Sequence, residues 1–326
     1  MKAVLLVNLG TPVKPEYKYL RKYLKQFLSD RNVVNKNRVF WLSLLNLVLL
    51  QIIPQKSAIN YAKIWNYELD ESPLLTYTKQ QKENLQETLG DDYLVDFAFT
   101  YDAGIYDNSI ASKVEMLRKY PIDELIVLSL YPQYSVATTA SIFQQVGEAC
   151  DKFKPWYDVT VIDSYFDNGK YIQALADSVL ENIEEDVKDV VCSFHGVPVE
   201  YIQKGDFYEA NCKETFRLLS KKVKEQCLDL NLHLSYQSKF GRDEWLTPAT
   251  NETISNLAQS GVKSVAVITP GFSVDCIETL EEIAMQAKGD FLENGGKNFK
   301  FIDCLNAKPP AIELYTDIIK EHELKK

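Results

Sequence analysis

The chain has 326 residues, 46% of them hydrophobic, and its 36 basic and 46 acidic side chains give a net charge of −10. Because this length exceeds the size at which one hydrophobic core stops growing, two domains are expected. The acidic balance argues against a nucleic-acid partner, since binding to phosphates requires clustered lysine and arginine. Six cysteines without a C-x-x-C pair argue against a zinc ribbon. No secretory signal core precedes the first predicted strand, so we expect a cytoplasmic protein with reduced thiols.

Apolar, β-branched runs alternate with helical patterns along the chain. Strands are predicted at residues 3–8, 94–100, 124–130, 158–163, 190–194, 232–237 and 264–269. Helices are predicted at residues 79–89, 109–120, 139–152, 171–185, 207–226, 252–260, 278–288 and 311–324. Runs that are apolar throughout fit strands buried on both faces of a parallel sheet. The alternation of strand and helix therefore predicts an α/β fold with right-handed crossovers.

The strand series breaks near residues 163–170, which divides the chain into two similar α/β halves. We predict a first domain at 1–165, a second at 166–305, and a C-terminal helix at 306–326 that packs back on the first domain. Ligands of open α/β sheets bind beyond the carboxyl ends of the strands. Loops containing glycine or proline follow four predicted strands, at residues 8–12, 131–135, 195–198 and 270–275. These loops are expected to line one cleft between the halves.

Residues 39–55, named here the apolar lip, contain no charged side chain. Trp41, Leu45 and Leu49 are among the apolar residues that recur at helical spacing, and Pro54 is expected to end the helix. The run is slightly shorter than the roughly 20 apolar residues that a membrane-spanning helix requires. Two interpretations fit it. One is a helix buried in the core, and the other is an exposed apolar surface that touches a membrane and admits a hydrophobic ligand.

His195 and a group of carboxylates are the residues best suited to chemistry. His195 follows the predicted strand 190–194 directly, and an imidazole exchanges protons near neutrality. Asp275, Glu278 and Glu282 are spaced to share one face of a helix. Favourable charge at a helix N-terminus accounts for some acidic residues there, but like charges at this spacing repel each other. A divalent cation or a shared proton would relieve that repulsion, so the pattern indicates transient metal chemistry.

Five motifs, in order along the chain, resemble those of ferrochelatases, the enzymes that insert ferrous iron into protoporphyrin to make haem. They are NLGTP at 8–12, LYPQYS at 130–135, SFHGVP at 193–198, QSKFG at 237–241 together with Trp245, and FSVDCIETLEE at 272–282. Leu9 and Cys276 follow the pattern of many Gram-negative members. The resemblance implies two Rossmann-like domains, each a parallel sheet flanked by helices, with a porphyrin cleft between them.

The resemblance also implies roles for individual residues. His195 is the implied proton acceptor and Glu278 its paired carboxylate, and these two with Glu282 are the implied metal contacts. The implied substrate-binding residues are Leu9, Tyr101, Tyr131, Gln133, Tyr134, Ser135 and Trp245. The apolar lip corresponds to the lip of the family's active site, and residues 39–53 are expected to contact a membrane surface reversibly. Many members carry arginine where Thr100 stands here, which leaves a porphyrin propionate contact at that position open.

The resemblance implies an enzyme of haem biosynthesis that takes protoporphyrin IX and Fe²⁺ as substrates and holds no tightly bound cofactor. No cysteine-rich C-terminal extension is present, so no iron–sulfur cluster is expected. The implied location is the cytoplasm, peripheral to the inner membrane. One alternative is a chelatase for coproporphyrin or for a cobalt corrinoid precursor, whose additional carboxylates would require more arginine and lysine in the cleft. Another alternative is a non-enzymatic, two-lobed haem-binding protein. Such a protein would share the two-domain α/β architecture but would not require His195 opposite a row of carboxylates.

Overall fold

A computed structural model of the chain describes residues 1–103, 107–241 and 243–324. The chain divides into two compact units. The first comprises Met1–Tyr131, Ser135–Ser164 and Tyr315–Lys326, and the second comprises Pro132–Tyr134 and Tyr165–Leu314. Residues 325 and 326, the end of the predicted segment 306–326, lie outside the described residues.

The first unit is built on a parallel four-stranded sheet. Its strands are β1 (Lys2–Asn8), β2 (Tyr93–Phe99), β3 (Glu124–Ser129) and β4 (Asp158–Ile162), in the order β2-β1-β3-β4. Its helices are α1 (Tyr17–Ser29), α2 (Arg38–Leu44), α3 (Leu50–Ile64), α4 (Pro73–Leu89), α5 (Ile110–Leu117) and α6 (Thr139–Phe153). Alternate residues of β1, Ala3, Leu5 and Val7, enter a buried core with α5 and α6, and α4 contacts β1 and β2.

The second unit repeats this plan. Its strands are β5 (Asp189–His195), β6 (Asn231–Gln237), β7 (Ser264–Ile268) and β8 (Asn298–Ile302), all parallel and in the order β6-β5-β7-β8. Its helices are α7 (Gly169–Asn182), α8 (Val199–Gln203), α9 (Tyr208–Gln226), α10 (Thr250–Gln259), α11 (Ile277–Leu280) and α12 (Lys288–Glu293). Helix α13 (Pro309–Leu324) begins in this unit and belongs to the first unit from Tyr315 onward.

The predicted α/β class with parallel sheets is confirmed, because both sheets are parallel and flanked by helices. Two of the runs that predicted strands, residues 124–129 and 264–268, are buried at every position. Strand β8 and helix α1 were not predicted. In β8 the exposed Asn298 and Lys300 alternate with partly buried residues at the edge of the sheet, and such a short alternating run carries a weak signal. Helix α4 begins six residues before its predicted start, since Ser72 caps it and Pro73 occupies its first turn.

The prediction that Pro54 ends its helix is wrong. Arg38–Leu44, a π-helical segment at Leu45–Leu49 and Leu50–Ile64 follow one another without a gap, and Pro54 lies inside α3. A proline cannot donate to the carbonyl four residues earlier, which here belongs to Leu50. The Tyr17 hydroxyl donates to that carbonyl oxygen at 3.1 Å. The carbonyl freed by Pro54 thus has a partner from α1, and the helix continues.

Candidate active site

His195 is the last residue of β5, and its ring is held by a backbone contact. Its Nδ1 lies 2.6 Å from the carbonyl oxygen of Gly196. Because a carbonyl oxygen only accepts hydrogen bonds, Nδ1 carries the proton of the neutral ring and Nε2 carries the lone pair. The Phe272 ring lies 6.5 Å from the imidazole, centroid to centroid. The side chain is partly exposed, so Nε2 is the nitrogen suited to accept a proton or bind a metal.

Glu278 lies in α11 within electrostatic reach of His195. Burial raises the pKa of the Glu278 carboxyl above its ordinary value, while the Cys276 thiol and the nearby His195 ring act in the opposite direction. A carboxyl in such surroundings takes up a proton more readily than one in water. The pairing of Glu278 with His195 for proton exchange remains a prediction.

Glu282, the third predicted metal contact, is held by hydrogen bonds from the end of β6. Its Oε1 accepts from the Ser238 backbone N–H at 2.6 Å, and its Oε2 accepts from the Ser238 hydroxyl at 2.5 Å and from Gln237 Nε2 at 3.4 Å. Gln237 and Ser238 belong to the QSKFG motif, but the motif alone predicts no role for them. The signal that could have found them is the carboxyl end of a strand, where Gln237 pairs in register with His195 and Ser238 follows it.

The carboxylate row predicted from spacing is only partly present. Asp275 is buried, and its oxygens accept from Asn306 Nδ2 at 2.6 Å, from Thr279 Oγ1 at 3.0 Å and from the Cys304 N–H at 3.3 Å. Asp275 thus fixes the start of α11 against the 304–306 loop. The predicted continuous helix 278–288 is also interrupted, because α11 ends at Leu280 and a π-helical segment runs from Glu282 to Ala287. Single π-helical turns are frequent at functional sites.

No preformed metal centre is present among residues 1–103, 107–241 and 243–324. In these ranges, no three histidine, cysteine, aspartate or glutamate side chains are arranged to hold a metal ion. His195, Glu278 and Glu282 therefore do not form a ready three-ligand site, and their predicted metal contacts remain predictions. A site that passes a metal to a substrate has no need to hold it permanently. All six cysteines are free thiols.

Comparison with known proteins gives the family. The ferrochelatase family model matches residues 1–323. The chain belongs to the ferrochelatase family. A ferrochelatase of Francisella tularensis subsp. tularensis is 39% identical over 323 residues, which covers 98% of this chain and 95% of that protein. One of Mesorhizobium japonicum is 44% identical over 308 residues, which covers 93% and 86%. The chain is thus a metal-inserting enzyme, and iron insertion into a porphyrin for haem synthesis is the activity of its family.

Solved structures of other chelatases share the fold. SirB from Bacillus subtilis with Fe³⁺ aligns with a TM-score of 0.59 at 9% identity, covering 98% of this chain and 94% of its own. DR2241 from Deinococcus radiodurans, a multi-domain protein with structural similarity to chelatases, aligns with a TM-score of 0.54 at 9% identity. That alignment covers 97% of this chain and 54% of DR2241. At such identities the likeness shows the fold alone, and it agrees with the predicted pair of Rossmann-like domains.

Three predicted substrate-binding residues lie in the second unit with His195. A Cβ placed on Gly196 would lie 3.2 Å from Cε3 of Trp245, so that indole packs beside Gly196, the residue that follows His195. The Trp245 Nε1–H meets no hydrogen-bond partner among the described residues. Gln133 is buried, and its Nε2 donates to Thr215 Oγ1 at 3.0 Å and to the Tyr171 hydroxyl at 3.3 Å. Tyr134 is partly exposed.

The other predicted substrate-binding residues lie in the first unit. Tyr101 is buried, and its hydroxyl donates to Asp30 Oδ2 at 2.8 Å. Leu9 packs on the small cluster that contains Tyr101, and Tyr131 packs on the main core. Ser135 is buried, and its hydroxyl accepts from the Ala137 N–H at 3.2 Å. Because the structure gives Tyr101, Gln133 and Ser135 internal partners, their contacts with a substrate remain predictions.

The apolar lip has one buried side and one exposed side, and its contact with a membrane or a hydrophobic ligand remains a prediction. Leu45 and Leu50 are fully buried, and Trp41 Nε1 donates to the Leu28 carbonyl of α1 at 2.7 Å. The exposed side chains are Val39 (78% exposed), Phe40 (66%), Leu47 (76%), Val48 (44%) and Ile52 (65%). By length and composition, the 27-residue run Arg38–Ile64 is the one helix in the described ranges that could cross a membrane. Its buried side and its contacts with α1 instead attach it to the unit.

Proposed function

We propose that the chain inserts Fe²⁺ into protoporphyrin IX to form protohaem, with His195 as the proton acceptor and Glu278 as its paired carboxylate. The observation that carries the proposal is the orientation of His195. Its Nδ1–H donates to Gly196 O, which leaves the basic Nε2 available, and the neighbouring Glu278 has a raised pKa. The family membership and the identities of 39–44% support the iron and porphyrin substrates.

Metal insertion requires two protons to leave the ring for each ion that enters. The free-base porphyrin carries two pyrrole N–H groups, and Fe²⁺ replaces both protons without any change in oxidation state. His195 Nε2 accepts one proton as a general base and becomes imidazolium. The Glu278 carboxylate lies near enough to stabilise that charge or to take up a proton. Both protons pass finally to solvent, so atoms and charge balance.

The composition of the apolar lip favours protoporphyrin IX over a more carboxylated ring. Five large apolar side chains of the lip are exposed. Residues 39–55 themselves carry no counter-ions for the additional carboxylates of coproporphyrin, and burial of a carboxylate without a partner is costly. The non-enzymatic haem-binding alternative does not agree with membership in a family of metal-inserting enzymes.

We also propose that the chain is cytoplasmic and that residues 39–53 rest reversibly on a membrane surface. Between residues 31 and 67 the sequence carries Arg31, Lys36, Arg38, Lys56 and Lys63 and no aspartate or glutamate, although the whole chain has a net charge of −10. A helix with one exposed apolar side and basic flanks binds anionic bilayers by apolar burial together with electrostatic attraction. An anionic lipid surface is therefore the partner that this side of α2 and α3 fits.

The test is anaerobic metal insertion with purified protein, Fe²⁺ and either protoporphyrin IX or coproporphyrin, followed by absorbance. We expect faster turnover on protoporphyrin IX. His195→Ala should abolish insertion while porphyrin still binds, and Glu278→Gln should reduce turnover severely. Near-normal turnover by His195→Ala would refute the assignment of the proton acceptor. A preference for coproporphyrin would refute the assigned substrate but leave the family activity intact.

A further inference from the structure

Gln237, the last residue of β6, connects the strand that carries His195 to the helix that carries the carboxylates. Its backbone carbonyl accepts from the Gly196 N–H at 2.8 Å, and its Oε1 accepts from the Ser193 hydroxyl at 2.8 Å. Its Nε2 donates to the backbone carbonyl of Glu278 at 2.7 Å. The side chain is 3% exposed, so water cannot replace these partners. The side-chain amide of Gln237 thus joins β5, through the Ser193 hydroxyl, to α11, through the Glu278 backbone.

The carbonyl that Gln237 binds lies where the helix changes type. Helix α11 ends at Leu280, and the π-helical segment begins at Glu282. Carbonyls in the last turn of an α-helix lack intrahelical donors, and a carbonyl without a donor is costly below the surface. Gln237 supplies a donor to the Glu278 carbonyl at this junction. Ile283 and Ala287, on the π-helical segment, are buried in the core of the unit, which fixes the segment from the other side.

Ser238 holds the side chain of the second carboxylate with two donors. Its backbone N–H and its hydroxyl bind both oxygens of Glu282, at 2.6 and 2.5 Å. The residue has φ = 67°, in the left-handed region that a non-glycine residue adopts at a cost. In this conformation both donors of Ser238 bind the same carboxylate. Charge-assisted bonds of this length are among the stronger hydrogen bonds in proteins.

We propose that Gln237 and Ser238 are positioning residues for metal insertion, which fix the Glu282 carboxylate and the helix backbone at Glu278 in place relative to His195. This inference rests on the proposed function, because it assigns Gln237 and Ser238 a role in the chemistry of that site. Misplacement of a reacting group by about 1 Å can cost on the order of 100-fold in rate. Loss of the two residues should therefore reduce kcat and leave the KM for porphyrin unchanged.

The first experiment replaces the Gln237 amide with a side chain of similar length. Gln237→Met removes the donor and the acceptor, and we expect kcat for iron insertion to fall about 10- to 100-fold. The matched control is Gln81→Met, which removes a fully buried glutamine of α4 whose Nε2 donates to the Tyr315 hydroxyl at 3.3 Å. Both variants lose a buried amide, so both should melt earlier than the wild type. Only Gln237→Met should turn over more slowly.

The second experiment tests whether Ser238 acts through Glu282. Ser238→Ala removes the hydroxyl donor, and we expect slower turnover. Combined with Glu282→Gln, it should slow turnover no further than Glu282→Gln alone, because residues that act as a unit are not additive. Ser264→Ala is the control, since this first residue of β7 also donates its hydroxyl to a carboxylate, that of Asp186, and it should keep the wild-type kcat.

Two results would overturn the positioning role. They are a wild-type kcat in Gln237→Met, and independent, multiplying effects of Ser238→Ala and Glu282→Gln. Because Ser238 is only partly buried, its variants test the role even where Gln237→Met does not fold. If the wild-type chain inserts no iron into protoporphyrin, the proposed function fails, and this inference fails with it. If the wild type inserts iron and His195→Ala does not, the proposed function stands. In that case, normal turnover by both Gln237→Met and Ser238→Ala refutes only the positioning role.

Discussion

Charges placed on the exposed side of the apolar lip should release the protein from membranes without unfolding it. Leu47 and Ile52 are 76% and 65% exposed, and both lie on the side that we assign to the bilayer. Leu47→Asp combined with Ile52→Asp removes two apolar contacts and adds two charges that anionic lipids repel. The buried Leu45 and Leu50 stay unchanged, so the packing of the lip on its unit is preserved.

The exposed fractions set the size of the effect. Full burial of a leucine or isoleucine side chain is worth about 1.5–3 kcal/mol. With about seven-tenths of each side chain available, the pair contributes about 2–4 kcal/mol to membrane binding. At about 1.4 kcal/mol for each factor of ten, the double variant should bind about 30- to 700-fold more weakly. Electrostatic repulsion acts in the same direction, so this range is a lower bound.

Co-sedimentation with vesicles of mixed zwitterionic and anionic phospholipids measures the change, and thermal unfolding checks the fold. Leu228→Asp is the matched control, since Leu228 is 85% exposed but lies in the second unit, outside the lip. It should bind vesicles like the wild type. Leu45→Asp, at a fully buried position, should instead unfold the first unit, because it leaves a buried charge without a partner. Wild-type vesicle binding by the double variant would refute the membrane contact.

Two further variants test the site. In Gly196→Ala the new Cβ would lie 2.7 Å from the Gln237 carbonyl oxygen and 3.2 Å from Trp245 Cε3. We therefore expect a loss of about 1–3 kcal/mol in stability and slower turnover. An unchanged melting temperature with normal kcat would contradict that close packing. Glu278 has a raised pKa in the fold, because burial disfavours its charged form. Its contribution to the stability of the fold is therefore full below the ordinary carboxyl pKa of about 4.3, and it is lost as the pH rises through the raised pKa and the buried carboxyl ionises. Glu278→Gln should therefore melt above the wild type at neutral pH and match it in acid, and parallel pH profiles would speak against a raised pKa.

Much of the fold could be predicted from the sequence because its signals are local. The apolar runs of β1, β3 and β5 are buried on both faces, and they indicated parallel sheets directly. The lip could not be resolved in the same way. Its spacing predicted a helix, but which side is buried depends on α1, whose Leu28 and Tyr17 bond residues of the lip. The prediction that Pro54 ends its helix is wrong for a related reason. The donor that replaces its missing N–H comes from Tyr17, 37 positions earlier.

The different surroundings of Glu278 and Glu282 could not be predicted from their spacing in the sequence. Glu278 and Glu282 are identical residue types four positions apart, and an α-helical pattern would make them equivalent. The structure makes them different. Glu282 accepts three hydrogen bonds from the end of β6, whereas burial raises the pKa of the Glu278 carboxyl near His195. Since the donors lie more than 40 positions earlier in the chain, no local pattern contains this distinction. It arises because parallel pairing sets Gln237 beside His195, and it is the reason for assigning proton exchange to Glu278.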